Sequence, residues 1–416
     1  YLSGERADIL LPAMPNVHSH AHQRAMAGLS ERAGDGEDSF WTWRRVMYHY
    51  LQRIQPEQLQ HIAAQLYVEM LKAGYGAVGE FQYLHHDLDG RAYDNRAEMS
   101  LQCLEAARRT GIGFTALPVL YRYGGFGGAE PLAAQRRFLN DADGFVDIVE
   151  ALQQASRGNA DSAVGIAPHS LRAISRELLT EVDAGLQDLA AIHIHIAEQT
   201  REVDDCVAWS GRRPVEWLFD NFEVDGGWCL IHATHMTAAE TAKTADSGCI
   251  AGLCPTTEAN LGDGFFNLID YADHGGSWAI GSDSHISIDP VEELRWLEYG
   301  LRLQTGRRNL LASAACQSTG RNLFDAALAG GAQACGRAIG AIESGRRADV
   351  MVLDGGHPRL YGRRRDELID SWIFSGNQNL VRDVYVGGDK VIENGHHADE
   401  ERIARDYRAT LDQLAT

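Results

Sequence analysis

A repeated alternation of short apolar runs and longer helical segments is the feature that most constrains the fold of this chain. Strands that alternate with helices form βαβ units and a parallel sheet, and eight such units favour a closed barrel over an open sheet. No GxGxxG motif opens a helix, as a doubly wound dinucleotide-binding sheet would require. The sequence therefore predicts an α/β protein with a (β/α)8 TIM-like barrel, whose strands lie near residues 9–18, 74–81, 111–120, 162–169, 190–197, 227–234, 247–254 and 276–283.

The pattern changes near residue 338. The segments GAIESGRRADVMVLD and VRDVYVGGDKVIENG contain short strands and turns, which are typical of a small antiparallel β structure. The chain then continues in a polar helix with Ile403, Tyr407, Leu411 and Leu414 on one side. Because 416 residues exceed the usual size of a single core, we expect a barrel at 13–337 and a C-terminal β segment with a terminal helix at 338–416.

The charge balance excludes two classes of partner. Lysine and arginine total 38 against 58 for aspartate and glutamate, a net charge of −20 that repels phosphate backbones and anionic lipid surfaces. We therefore expect no binding to nucleic acid or to a membrane, and no apolar stretch approaches the roughly 20 residues that cross a bilayer. The seven cysteines form no CxxC pair and no secretory signal opens the chain, which predicts a cytoplasmic protein with reduced thiols.

Two histidines in the segment NVHSHAHQ, His18 and His20, lie two residues apart at the end of the first predicted strand. On an extended backbone both imidazoles point to the same side, where they can share one metal ion. An HxH pair alone is weak support for a metal site. Histidines in the later strands decide whether such a site is predicted.

The fifth predicted strand, AAIHIHIAEQ, directs His193 and His195 toward one face and is followed by Glu198. Buried histidines need hydrogen-bond partners, so the alternative interpretation is a pair of core histidines bonded to nearby backbone. Their position favours a site, because the active sites of such barrels form where strands end and loops begin.

The sixth and eighth strands end in LIHATH, with His232 and His235, and in AIGSDSH, with Asp283. A helix cap is the alternative role for Asp283, since aspartate often occupies that position at a strand-to-helix turn. Histidines and carboxylates at the ends of strands 1, 5, 6 and 8 would converge once the barrel closes. The joint pattern therefore predicts a metal-dependent hydrolase.

The order HxH, HxxE, a later histidine and a final aspartate resembles the amidohydrolase superfamily, in its single-metal deaminase branch. The C-terminal β segments also match, so the resemblance spans nearly the whole chain. Because members of that superfamily generally have a longer segment before HxH, residues 1–12 are interpreted as the remnant of an N-terminal β segment that forms a small β domain with the C-terminal one. Seven further segments are similar to the formiminoglutamate deiminase family: FWTWRRVMYHYL, MLKAGYGAVGEFQYLHHD, HSLRAIS, HIHIAEQ, IHATH, TTEANLGDG and GSDSH.

This resemblance implies the hydrolysis of N-formimino-L-glutamate to N-formyl-L-glutamate and ammonia in histidine degradation, by a homodimer with one divalent ion per chain. It implies metal ligands at His18, His20, His195 and Asp283, catalytic roles for Glu198, His232 and Asp283, and substrate contacts at Gln23, Arg44, Tyr83, His169 and Arg172. Zinc is the predicted metal, although iron and manganese also occupy such ligand sets.

Independent chemistry agrees, because a dicarboxylate needs local positive charge in so acidic a protein. The arginines that can supply this charge are Arg172, expected at the end of strand 4, and Arg44, expected in the loop region after strand 1. Two alternatives stay open: a related deaminase acting on a nucleobase or another heterocycle, and a binding relative without catalysis.

Overall fold

The computed structural model describes residues 7–32 and 40–415. The first predicted strand, 9–18, is divided between two sheets, because β1 (Ile9–Pro12) and β2 (Met14–Ser19) are separated by Ala13 and pair with different partners. The other predicted strands lie at β3 (Tyr75–Gln82), β4 (Gly113–Leu120), β5 (Ser162–Val164), β6 (Ala167–Pro168), β7 (Ile192–Ile196), β8 (Trp228–His232), β9 (Ile250–Leu253) and β10 (Ser277–Ile280).

These strands form two parallel sheets. One has the order β2-β3-β4-β5, with β6 also paired to β4, and the other has the order β10-β9-β8-β7. Single parallel bridges connect Ser19 with Asp283 and Ile166 with Ile192, so the two sheets meet at both of their edges. The strands of these two sheets therefore end on one side of the molecule, as expected for parallel pairing. The predicted α/β class is confirmed.

Helices follow nearly every parallel strand. Their bounds are α1 (Phe40–Leu51), α2 (Pro56–Ala73), α3 (Glu98–Thr110), α4 (Ala142–Ser156), α5 (Arg176–Gly185), α6 (Thr200–Ser210), α7 (Pro214–Asn221), α8 (Ala238–Asp246), α9 (Pro255–Leu261), α10 (Leu268–Asp273), α11 (Pro290–Thr305) and α12 (Thr319–Ala334). Short 3-10 helices cover Ala21–Met26 and Ala133–Gln135.

Helix α2 shows why these segments are helical. Pro56 occupies its first turn, where a missing N–H costs nothing, and Gly74 ends it with a φ of 101°. A side chain at that glycine would meet the Met351 sulfur at 2.8 Å, so close packing also favours glycine there. Apolar residues at helical spacing form its buried face: Leu59, Ile62, Leu66 and Met70.

A third sheet joins the two ends of the described chain. β1 pairs antiparallel with β11 (Val350–Leu353), and the sheet continues through β12 (Val381–Val386), β13 (Asp389–Glu393) and β14 (His396–His397). Helices α13 (Asp366–Phe374) and α14 (Glu400–Ala415) complete the chain, and α14 packs against α2 with Ile403 and Leu414 buried. The short strands and the polar final helix expected after residue 338 are therefore present.

No helix in the described ranges is long and apolar enough to cross a membrane. The seven cysteines are free thiols, and all of them except Cys316 are buried.

Candidate metal centre and active site

The end of β2 is fixed to the loop that contains Asp283. The backbone N–H of Asp283 donates to the carbonyl of His18 at 3.0 Å, and that of His20 donates to the carbonyl of Asp283 at 3.3 Å. Glu80, at the end of β3, accepts hydrogen bonds from the Ser19 hydroxyl at 2.5 Å and the Ala21 N–H at 2.7 Å. These contacts hold the HxH segment and the aspartate in register with each other.

The four predicted metal ligands converge. His18 and His195 approach with their Nε2 atoms 3.0 Å apart, while Oδ1 of Asp283 lies 3.5 Å from Nε2 of His18 and 3.3 Å from Nε2 of His20. All four side chains are buried. Two strand ends and one loop thus direct these groups to a common point: β2 contributes His18 and His20, β7 contributes His195, and the loop after β10 contributes Asp283.

Backbone carbonyls fix which nitrogen of the His20 and His195 rings faces that point. The Nδ1–H of His20 donates to Phe81 O at 2.9 Å, and that of His195 donates to His169 O at 3.0 Å. Each bond leaves the Nε2 lone pair directed inward, the usual arrangement of metal-binding histidines. Lone pairs this close repel one another, so the donor set fits a cation at its centre.

The charge states of these groups suit the same conclusion. Burial, partly offset by Asp283, lowers the pKa of His18 to about 3, so its imidazole is neutral at pH 7. Burial by itself raises the pKa of Asp283, but the hydrogen bond and charge of His18, with His20 and His232, hold it well below its usual range. Three neutral imidazoles and one carboxylate are ligands that Zn²⁺ accepts.

Glu198 and His232 lie beside this cluster. The Nε2 atom of His232 is 3.8 Å from Oε1 of Glu198 and 3.7 Å from Oδ2 of Asp283. Burial raises the pKa of Glu198 to about 7, partly offset by His232. Burial lowers the pKa of His232, but Glu198, Glu258 and Asp283 together raise it to about 10. Glu198 therefore titrates near neutral pH, as a proton-transfer group should.

One cavity is lined by all five predicted substrate contacts and by most of this cluster, namely His20, His195, Glu198, His232 and Asp283. The residues that follow strand ends are Tyr83, His169 and Arg172. Gln23 lies in the 3-10 helix after β2. Arg44 departs from the expectation of a loop, because it lies on α1, the helix that covers the cavity. A further seven side chains, not singled out from the sequence, complete the lining: Phe40, Trp43, Met47, Tyr48, Tyr121, Phe138 and Leu261.

Helix α1 is held in place by a buried arginine that the sequence did not indicate. Arg137 donates to the carbonyls of Leu51 and Ile54, and its Nε donates to the carbonyl of His86 at 2.9 Å. These carbonyls belong to the end of α1 and to the loop after β3, so one guanidinium joins both walls of the cavity. In the sequence, the repeated aromatic residues of FWTWRRVMYHYL indicate that one face of α1 contributes to the site.

The two arginines of the cavity share an aromatic neighbour. The guanidinium carbons of Arg44 and Arg172 lie 5.6 and 5.8 Å from the centre of the Trp41 ring. Arg44 donates to the Tyr48 hydroxyl at 2.6 Å, and Nη1 of Arg172 is buried without a hydrogen-bond partner among the described residues. Since Arg172 lines the cavity, this donor is available to an acceptor from outside the chain.

Tyr83 belongs to a small hydrogen-bond network. Its hydroxyl receives the Gln23 amide N–H at 3.2 Å and contacts Nε2 of His22 at 2.8 Å. His22 is buried behind Tyr83, outside the cavity lining, and burial keeps its pKa well below the usual value. This neutral histidine supports Tyr83 and contributes no ligand to the metal cluster.

Two of the candidate histidines do not reach the site. The Nε2–H of His193 donates to the carbonyl of Ala334 at 2.8 Å, away from the cavity, so it is the core histidine that the alternative interpretation described. His235 lies beyond β8, next to Gly264. Only the second histidine of HIHI and the first of HATH contribute to the cavity.

Comparison with known proteins agrees with this geometry. The sequence profile of the amidohydrolase family matches residues 9–391. The chain belongs to the amidohydrolase family. Formimidoylglutamate deiminase of Pseudomonas aeruginosa is 54% identical over 405 residues, which cover 97% of this chain and 89% of that protein.

A crystal structure of an amidohydrolase from Brucella melitensis has 47% sequence identity and a TM-score of 0.95, covering 99% of this chain and 91% of that one. A 5-methylthioadenosine/S-adenosylhomocysteine deaminase from Natronomonas pharaonis is more distant, at 27% identity over 93% of this chain and 82% of that protein. The resemblance stated from the motifs is confirmed.

Proposed function

We propose that this amidohydrolase is a formimidoylglutamate deiminase, which hydrolyses N-formimino-L-glutamate to N-formyl-L-glutamate and ammonia. The main supporting observation is that a His3Asp donor set lies at a cavity that two arginines also line, in a protein whose net charge is −20. The relative with 54% identity supports the same reaction. A nucleobase deaminase has less support, because the adenosine-type relative is half as similar and a purine ring offers no carboxylate to two guanidinium groups.

His18, His20, His195 and Asp283 would hold the divalent ion, and zinc accepts a set of three imidazoles and one carboxylate. A bound divalent ion lowers the pKa of water toward about 7 and so supplies a hydroxide nucleophile near neutral pH. Asp283 lies at the centre of the donor set, with Oδ2 directed toward His232, where it can accept a proton from the attacking water.

The remaining steps belong to this chain's own groups. Water adds to the formimino carbon, and the bond from that carbon to the terminal nitrogen breaks to release ammonia. Glu198 transfers one proton from the water to that nitrogen, a role that suits its pKa of about 7. The second water proton, accepted by Asp283, then passes to the same nitrogen, which leaves as ammonia while the oxygen becomes the formyl carbonyl. His232 hydrogen-bonds the attacking oxygen and stabilises the developing charge.

The substrate carboxylates would be held on the opposite wall. Arg172 and His169 follow β6 and are offered as partners of one carboxylate, while Arg44, Tyr83 and Gln23 would contact the rest of the molecule. Charge-assisted pairs with arginine select a dicarboxylate against neutral amidines.

The test is a side-by-side measurement of ammonia release from N-formimino-L-glutamate, guanine and cytosine, with metal analysis of the same preparation. We expect turnover of the first substrate only and about one metal ion per chain. Turnover of guanine or cytosine at a higher kcat/KM would refute the proposed substrate. Binding of formiminoglutamate without ammonia release would refute catalysis.

Further proposals concern architecture and assembly. We infer that the two parallel sheets form a closed (β/α)8 barrel within 13–337, supported by the bridges at both edges, and that residues 7–12 and 338–415 form a small β domain. Residues 1–6, 33–39 and 416 of the predicted domains lie outside the described residues. We also propose a cytoplasmic homodimer acting in histidine degradation. Sedimentation of the purified protein would test the dimer.

A further inference from the structure

We propose that Glu258 is a positioning residue, which fixes the orientation of the His232 ring through its Nδ1 atom. The proposal rests on the proposed function, in which Nε2 of His232 faces the reacting atoms. Glu258 does not line the cavity and touches no substrate group, so it would act only through the histidine.

The contact between the two side chains is direct and buried. Oε1 of Glu258 lies 3.2 Å from Nδ1 of His232 and also receives the backbone N–H of Cys254 at 2.8 Å. Exposed fractions are 1% for His232 and 5% for Glu258, so water does not compete for these atoms. Because a carboxylate oxygen accepts, the shared hydrogen resides on Nδ1 and the Nε2 atom is left for the cavity.

The backbone that carries the ring is also unusual. His232 and Ala233 have φ values of 67° and 47°, two successive left-handed residues at the end of β8. Non-glycine residues rarely adopt this conformation, and it persists only where surrounding contacts determine it. The ring stacks on His195 at 5.6 Å with an angle of 11°, a contact that leaves a 180° flip of the ring possible.

A flipped ring would turn a carbon atom toward Glu258 and another toward the cavity. The buried carboxylate would then lose one hydrogen-bond donor, and the buried Nδ1–H would lose its acceptor, which are costly changes in a water-excluded site. The Nδ1 contact therefore distinguishes the two orientations that packing alone permits. Only one of them presents Nε2 to Asp283 and Glu198.

The carboxylate is itself held by a rigid element. Glu258 lies on α9, where its N–H donates to Cys254 O at 2.9 Å and its carbonyl receives Asp263 N at 2.9 Å. The first turn of α9 is anchored by Glu293 of α11, which accepts from the Thr256 N–H at 2.9 Å and the Thr256 hydroxyl at 2.6 Å. Glu293 gives a matched control, since it is a buried carboxylate that stabilises the same helix without contacting His232.

The experiment compares Glu258→Gln, Glu258→Leu and the control Glu293→Gln, each loaded with zinc. Glutamine keeps an oxygen that accepts from Nδ1, whereas leucine keeps the approximate volume and removes the acceptor. We expect kcat to fall by about 10- to 100-fold in the leucine variant, the range for loss of a partner that orients a metal-site histidine, with little change in KM or metal content. The glutamine variant should recover most of that loss, and Glu293→Gln should lower the Tm while kcat is maintained.

Two results would overturn the proposal. One is a leucine variant with wild-type kcat; the other is an equal loss of kcat in Glu258→Leu and Glu293→Gln, which would show that Glu258 only stabilises α9. A glutamine variant as impaired as the leucine variant would likewise contradict an orienting hydrogen bond.

Nuclear magnetic resonance of the zinc-loaded wild-type protein, labelled with ¹⁵N-histidine, provides a readout that does not depend on activity. We expect a slowly exchanging Nδ1–H signal for His232, identified by its loss in His232→Asn. A bare Nδ1 would refute the proposal even in an active enzyme. A signal at Nδ1 in a protein that does not release ammonia from formiminoglutamate would refute the proposed function and leave the orientation of the ring established.

Discussion

Replacing Arg172 by methionine removes one positive charge from the cavity and keeps a long, flexible apolar side chain. In the wild-type protein Nε of Arg172 contacts the Ser170 hydroxyl at 3.4 Å, and its buried Nη1 has no partner among residues 7–32 and 40–415. Burial lowers the pKa of this arginine, but Glu202 and Glu198 raise it, so the side chain remains charged. The substitution therefore deletes a donor that is available to a carboxylate.

The expected loss follows from the energy of such a contact. A hydrogen bond to a charged group contributes about 1.5–3 kcal/mol, and about 1.4 kcal/mol corresponds to a factor of ten. We therefore expect kcat/KM for N-formimino-L-glutamate to fall by about 10- to 150-fold in Arg172→Met. Most of the change should lie in KM if the contact is equally strong in the ground and transition states.

A second substrate separates recognition from indirect effects. Loss of Arg172 also removes a positive charge that lowers the pKa of Glu198, and that effect acts on every substrate. Wild-type and variant enzymes should be assayed with formiminoglutamate and with a formimino compound that lacks one carboxylate. If Arg172 binds that carboxylate, the variant loses much less activity on the shorter compound.

The control is Arg176→Met, which removes an exposed arginine at the start of α5 that does not line the cavity. It should leave kcat/KM unchanged for both substrates. Equal losses on the two substrates in Arg172→Met would refute the reasoning, because the arginine would then support the site as a whole. The recognition of the substrate would have to be assigned to Arg44.

Three further predictions concern the metal, catalysis and stability. His195→Ala should lose metal and activity together, and metal analysis showing full occupancy would contradict its assignment as a ligand. Glu198→Gln should keep the metal and lose turnover by roughly 10²-fold, so a rate above about a tenth of wild type would point to another proton shuttle. Partial burial raises the pKa of Glu400, but hydrogen bonds from His396 and Lys72 lower it from 4.5 to about 2. The contribution of Glu400 to the free energy of unfolding is therefore complete above pH 4.5 and disappears as the pH falls toward 2. Glu400→Gln should therefore cost up to about 1 kcal/mol of unfolding free energy at pH 7 and less at pH 3.5, measured with denaturant; an equal cost at both pH values would contradict the assignment.

The sequence determined the alternation of strands and helices and the chemical character of the site. Apolar periodicity is a local property, so each predicted run contains a strand, and the buried face of α2 follows its helical spacing. Two residues per repeat on a strand place His18 and His20 on one side without any knowledge of the fold. The joint order of histidines and carboxylates identified the family because metal chemistry restricts which residue types can be ligands.

Contacts between distant parts of the chain were decided by the tertiary structure alone. Residues 9–18 read as one strand because local patterning is continuous, yet Ile9 pairs with Leu353 and Met14 with Tyr75, so hydrogen-bond partners far along the chain divide the run. The sequence predicts Arg44 in a loop, whereas it lies on α1. Its place in the cavity depends on α1 covering the strand ends, which is a tertiary contact.

His193 and His195 lie two residues apart on the same strand, but only His195 reaches the site. Both imidazoles lie on the same face of β7. His193 contacts the carbonyl of Ala334, 141 residues later, whereas His195 contacts the ring of His18, 177 residues earlier. Period-two alternation predicts which face a side chain occupies and gives no information about its depth along the strand axis. Only the packing of α12 against one end of the sheets, and of Asp283 and His18 at the other, makes one histidine a core residue and the other a candidate ligand.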